Sequence, residues 1–138
     1  NTVINEADLE VYATFPDGDN EAFYPPPPYI VTQEQTDTTL NYSVDVRIGL
    51  VTTNGNHYAE AYKLLFGGDI GKRVAGPPVV YRYNMKVTNQ LKDIVRGKKE
   101  NVIYFNPYAK GDFPNRAVFF GPNDPTYAPR LRVYYTEL

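Results

Sequence analysis

No cysteine occurs among the 138 residues, which excludes a disulfide staple, a thiol nucleophile and a thiolate metal site. A single histidine, with no cysteine beside it, leaves too few soft ligands for a zinc centre. No apolar run approaches the roughly 20 residues that a membrane-spanning helix needs. A formal net charge of −2 gives no electrostatic reason to expect nucleic acid. The chain shows no signal peptide and opens almost directly on a strand pattern, so the expectation is a mature fragment or an excised domain.

Aromatics are plentiful but lopsided, with 13 Tyr and 7 Phe against no Trp. Such rings favour strands and amphipathic surfaces, where the ring packs and the hydroxyl stays wet. The 12 Pro and 10 Gly imply frequent turns and few long helices. The length suits one domain, residues 1–138, with a core of its own.

Hydrophobic patterning predicts mostly strands. Ala7, Leu9, Val11 and Ala13 share one face of a first strand, with Asp8, Glu10 and Tyr12 on the other. Pro25 to Pro28 reads as polyproline II at a sheet edge or strand entry, followed by a short strand over 29–32. Val44, Val46, Ile48 and Leu50 alternate with Asp45, Arg47 and Gly49, which predicts another strand, and Asn54-Gly55 a tight turn. Tyr58, Ala61, Tyr62 and Leu65 fit a short helix ended by Gly67-Gly68, with a loop from Gly67 to Pro78.

A strand over 79–83 follows, then a helix with Asn84 as its N-cap, an apolar stripe of Val87, Leu91, Ile94 and Val95, and Gly97 as its stop. Strands are predicted over 101–105 and 116–120. The last segment, Pro129 to Thr136, alternates cleanly: Leu131, Val133 and Tyr135 are expected to face a core, and Arg130, Arg132, Tyr134 and Thr136 water or a partner. The fold class that results is all-β, an antiparallel, jelly-roll-like β-sandwich covered by one short helix.

The order of several motifs is shared with a known group. Ile4 to Val11 resembles the "I-x-x-A-x-L-x-V" strand of DNRLRE-type β-sandwich modules. Phe66-Gly-Gly68, Tyr81-Arg-Tyr-Asn-Met85, Asp93-Ile-Val-Arg-Gly-Lys98, Asn115-Arg-Ala-Val118 and Leu131-Arg-Val-Tyr-Tyr-Thr136 together resemble a family of outer-membrane lipoproteins of the Bacteroidota. The resemblance covers residues 1–14 and 64–138. It implies an exported domain at the outer membrane or cell surface, the C-terminal part of a longer lipoprotein, with part of its sandwich supplied from elsewhere to cover an open edge. It supplies no catalytic residues and no cofactor.

Candidate sites are few. Asp17, Asp19 and Glu21 form an acidic loop read as a solvated turn, with Ca²⁺ ligation as the alternative. His57 reads as a lone exposed histidine without a triad. Asp45 with Glu60 or Asp69 offers a carboxylate pair of the kind that cleaves glycosides, a reading given little weight because nothing in the spacing sets their distance. Lys86, Lys92, Arg96, Lys98 and Lys99 form the positive side of one helix, read as solvated.

Tyr104, Tyr108, Phe113, Tyr127 and Tyr134, with Arg130, Arg132, Asp112 and Asn115, form the candidate binding face. That face is read first as a protein interface and second as a surface on which sugars stack. The expectation is a non-enzymatic interaction domain acting in a surface assembly, the alternative a carbohydrate-binding module. Charge reversal at Arg132 is expected to weaken assembly and leave the fold intact.

Overall fold

The computed structural model describes residues 1–15, 24–108 and 116–138. Among them, strand outweighs helix, in two antiparallel sheets with three short helices. The larger sheet runs β4 (Gly67–Val74), β5 (Val80–Lys86), β1 (Thr2–Thr14) and β7 (Val118–Phe119), with β8 (Arg130–Glu137) also paired to β1. The smaller runs β3 (Thr39–Tyr42), β2 (Ile30–Thr36) and β6 (Tyr104–Pro107). The helices are α1 (Val44–Thr52), α2 (Glu60–Leu65) and α3 (Thr88–Val95).

β1 is the axis of the molecule. Its residues 8–13 pair with β5 on one side, while residues 2–10 pair with β8 and residues 13 and 14 with β7 on the other. Ala7, Val11 and Ala13 are buried on the face read from the sequence. Val11 and Ala13 share one core cluster with Tyr81, Tyr83 and Met85 of β5, Ile30 and Val31 of β2, and Tyr62 and Phe66 from α2 and its end. The proline run has no donors to offer but uses its acceptors. The Pro27 carbonyl accepts from the Tyr83 hydroxyl at 2.6 Å, and the Pro28 carbonyl from the Ile70 amide at 2.8 Å.

Four expectations are corrected. Residues 44–52 are a helix, not a strand. Ser43 caps it through a 3.3 Å bond from the Val46 amide, and the buried residues, Asp45, Val46 and Gly49, fall on one helical face. Gly49 lets the Tyr62 ring approach so closely that an added Cβ would stand 2.9 Å from it. This packing outweighs the strand preference of Val and Ile, which is weak where context opposes it.

Gly67 does end α2, but the chain continues as β4 rather than as a loop. Gly67 and Gly68 both sit at positive φ, with backbone carbonyls of Asn84 and Ile30 where side chains would go, so the helix turns sharply into an edge strand.

Asn84 is a β5 residue, not a cap, and α3 begins four residues later. Within its stripe Leu91 and Ile94 are half-buried and Val95 is 69% exposed, while Gln90 is the buried residue of the helix. Finally, the fold has three short helices rather than one covering helix: α2 falls where the spacing of Tyr58 to Leu65 suggested, and α1 is the addition. The strands predicted over 101–105 and 116–120 shorten or shift to Tyr104–Pro107 and Val118–Phe119.

Candidate functional site

β8 is regular, eight residues long, and exposed at every position. Its register against β1 places Leu131 opposite Leu9, Val133 opposite Ala7 and Tyr135 opposite Ile4. Directly opposed residues of antiparallel strands point to the same face. Leu131, Val133 and Tyr135 therefore continue the core face of the sheet, as their alternation predicts. They are nonetheless 48%, 37% and 56% exposed, so among the described residues the packing that buries β1 and β5 covers β8 only in part. Among the described residues β8 pairs only with β1, so its outer edge presents unpaired backbone donors and acceptors.

The opposite face of the same strands is charged and internally matched. Glu6, Asp8 and Glu10 of β1 form an acidic row between basic rows on both neighbours. Lys86 bonds Glu6 and lies 3.7 Å from Asp8, which together hold its ammonium above the usual lysine range, the bond to Glu6 first. Glu10 is 2% exposed. Its carboxylate accepts from the Tyr12 hydroxyl, lies 3.4 Å from Arg132 Nη2 and 3.7 Å from Arg82 Nη1. Burial, and then the bond to Glu10, push the Tyr12 hydroxyl up from its ordinary value. Arg132 therefore neutralises a buried carboxylate, and its reversal would disturb the sheet as well as the surface.

The predicted binding residues divide between two places. Tyr127, Arg130, Arg132 and Tyr134 belong to the β8 side of the larger sheet. Tyr127 packs on Tyr12 at 5.4 Å and Phe120 at 5.0 Å, and the Arg130 guanidinium lies 6.0 Å over the Tyr12 ring. Tyr134 stands exposed opposite Glu6. Tyr104 and Tyr108 belong instead to β6 and its end. Tyr104 donates to Gln35 at 3.2 Å, and Tyr108 stacks on Tyr42 at 6.1 Å and on His57 at 4.1 Å. Phe113, Asp112 and Asn115, and the acidic loop of Asp17, Asp19 and Glu21, lie outside the described residues.

His57 is not the exposed histidine expected. It sits half-buried among Tyr29, Tyr58, Tyr62 and Tyr108, ring centroids 3.9 to 6.5 Å away, and burial lowers its pKa from the usual value. The spacing of Tyr58 and Tyr62 beside it was the available signal; Tyr29 and Tyr108 arrive through the fold alone.

Asp45 is fully committed. Oδ1 accepts from the Asn89 amide at 3.0 Å and its side chain at 2.9 Å, and Oδ2 from the Gln90 amide at 2.9 Å. It caps α3 from α1, so it is no free catalytic base. Glu60 pairs with Lys63, exposed on α2. Of the basic group expected on one helix, only Lys92 lies within α3; Lys86 ends β5, and Lys99, beyond the helix, reaches 3.3 Å from buried Glu34, which Arg47 also meets at 3.1 Å. Lys86 is engaged as described, so the positive face is only partly solvated.

Among the described residues no group of three His, Cys, Asp or Glu side chains is placed to hold a metal ion, and no helix is long and apolar enough to cross a membrane. Comparisons with protein-family models, with curated proteins and with solved structures find no match to this chain.

Proposed function

We propose that the chain is a non-enzymatic interaction domain whose β8 edge accepts a strand from a partner protein. The observation that carries this reading is an eight-residue edge strand whose core-side apolar row stays half exposed among the described residues. Strand addition uses both features at once: the backbone edge supplies hydrogen bonds, and alternate side chains fill the apolar face. Covering three half-exposed apolar side chains contributes about 2–4 kcal/mol, enough to select a partner with matching alternation. Arg130 and Arg132 on the outer row favour a strand that carries acidic or polar residues there and apolar residues toward the core.

On this reading the two sheets are the layers of an antiparallel sandwich whose larger sheet is incompletely covered. The partner strand, with the side chains it brings, completes it. The sequence resemblance supports placing the assembly at an outer membrane or cell surface. Tyr104 and Tyr108 have no part in this surface.

The test is a strand of alternating Val and Thr fused after Leu138 through a Gly/Ser linker of about eight residues, long enough to reverse direction and run beside β8. The fusion should raise unfolding stability by about 1–3 kcal/mol after loop closure is charged against it. The same strand interrupted by two prolines should add nothing. Equal stability of the two fusions would refute the edge as an acceptor. The isolated chain is expected to sediment as a monomer; a dimer lost on Val133→Lys would assign the edge to a second copy instead.

A further inference from the structure

The half of β1 before Asp8 has a strand on one side only. Its residues between 2 and 6 pair with β8, and pairing with β5 begins at Asp8, so among the described residues their other edge carries no strand. α3 lies there instead. It starts beside Ala7, whose carbonyl accepts from the Val87 amide at 2.8 Å and whose amide donates to the Thr88 hydroxyl at 3.0 Å, and it runs back along β1. Two adjoining cavities separate strand from helix. One, of about 380 Å³, sets Asn5 and Glu6 against Thr88 and Asn89. The other, of about 290 Å³, sets Thr2, Val3 and Ile4 against Val95 and Arg96. Lys92 lines both, so the two form one groove along the free edge.

The groove offers backbone, apolar and charged contacts. The Asn1 carbonyl accepts from the Leu138 amide on the β8 side. Backbone groups of successive strand residues turn to alternate edges, so those of Thr2 and Ile4 turn to the groove. Val3 and Val95 are exposed along it, and Ile48 and Leu65 at its far end. The acids that line it are engaged: Glu6 bonds Lys86, and Asp45 accepts from the Asn89 and Gln90 amides. Asp93 of α3 and Glu137 of β8 line neither cavity. Lys92 and Arg96 have no ionic partner among the described residues. The described residues that flank the undescribed stretches belong to the other end of β1. Phe15 follows that end, while Arg116 and Tyr108 bond to Pro25 and Tyr29, beside the Pro27 carbonyl that Tyr83 meets opposite Val11. Val11 is seven residues from Ile4, about 23 Å along a strand.

We infer that this groove binds an extended acidic segment of a partner protein, added as a strand to β1 with carboxylates at alternate positions paired to Lys92 and Arg96. The spacing fits. Lys92 and Arg96 are one helical turn apart, about 6 Å between Cβ atoms, and alternate residues of an extended chain stand about 6.6 Å apart on one face. Backbone bonds to Thr2 and Ile4, and cover for Val3 and Val95, supply the rest of the contact. A neutral strand would leave both cations unpaired, and a basic one would be repelled. The site is separate from the β8 edge, since it uses the opposite side of β1, and neither depends on the other.

The experiment titrates the full chain at low salt with a capped peptide of alternating Glu and Val, about eight residues long so that it spans residues 2–6. Peptides with Gln or Lys in place of Glu serve as controls, and amide NMR follows each. The Glu/Val peptide should saturate, shift Thr2, Ile4, Lys92 and Arg96, and protect the Thr2 and Ile4 amides from exchange. It should bind at least fivefold more tightly than the Gln/Val peptide, an advantage that fades as salt screens the pairs. The Lys/Val peptide should not saturate. The double variant Lys92→Gln with Arg96→Gln changes two side chains without ionic partners, and should lose the preference for Glu with the rest of the spectrum unmoved. Absence of saturation, equal binding of the Gln/Val peptide, or a preference kept by the double variant would overturn the assignment. So would shifts confined to β8, which would give the peptide to that edge. Binding to phosphatidylglycerol vesicles but not to the peptide, lost in the double variant, would give the groove to a lipid surface and overturn it too.

Discussion

Glu10 shows how one residue ties the sheet together. It is the buried member of the acidic row, and its two ionic partners, Arg82 on β5 and Arg132 on β8, reach it from opposite sides. Removing a partner from a buried charge is costly, though half-exposed arginines let water repair part of the loss. Arg132→Glu is therefore expected to destabilise the chain by about 1–3 kcal/mol in urea unfolding, with most of it recovered in the double variant that adds Glu10→Gln. Unchanged stability of Arg132→Glu would show that Glu10 does not depend on it. His57 gives the second prediction at this scale. Burial depresses its folded pKa below the unfolded value of about 6.5, so the unfolded chain takes up a proton first as pH falls. Stability should be full above about pH 6.5 and decline as pH drops through the lower folded pKa. His57→Gln should lose that decline, and an NMR titration placing the His57 pKa at or above 6.5 would contradict the burial of its ring. Neither feature was legible: Glu10 read as an outward strand residue, because burial under a neighbour's arginines leaves no mark on alternation.

At the level of elements, the strands most legible in sequence were those with one dry face. β1 alternated, and Ala7, Val11 and Ala13 are buried as expected, with Leu9 partly buried and only Glu10 buried against the pattern. The helices were less legible for a physical reason. α1 carries β-branched residues at period 2, and only Ser43 before it signals a start; its identity is decided by Tyr62 and by the two amides of α3 that Asp45 caps. That cap is the third prediction. Asp45→Asn keeps the shape but replaces one acceptor with a donor facing N–H groups, and should cost about 1–3 kcal/mol in chemical denaturation. Asp45→Ala should cost at least as much and loosen α3 specifically, seen as faster amide exchange over residues 88–95. A uniform loss without a local effect on α3 would assign Asp45 a role in packing rather than capping. The Asn84 expectation failed for the same reason: the cap of α3 comes from a residue 44 positions away in sequence.

For the molecule as a whole, the sequence read as strands with an apolar final row, and the larger sheet has that row. What it could not show is that, among the described residues, β8 stays half exposed, because its cover depends on how far β2, β3 and β6 extend and on where the helices pack. The candidate site was accordingly half legible. Tyr127, Arg130, Arg132 and Tyr134 do lie together, while Tyr104 and Tyr108 were joined to them by sequence proximity that the two-sheet arrangement undoes. The central claim is that β8 is an open acceptor edge. The most direct measurement is residue-resolved amide hydrogen exchange over Arg130–Glu137, in the isolated chain and in the fusion carrying an added Val/Thr strand. The account predicts that every second β8 amide, those not bonded to β1, exchanges freely in the isolated chain and is protected in the fusion. Outward amides already protected in the isolated chain, or still freely exchanging in the fusion, would contradict it.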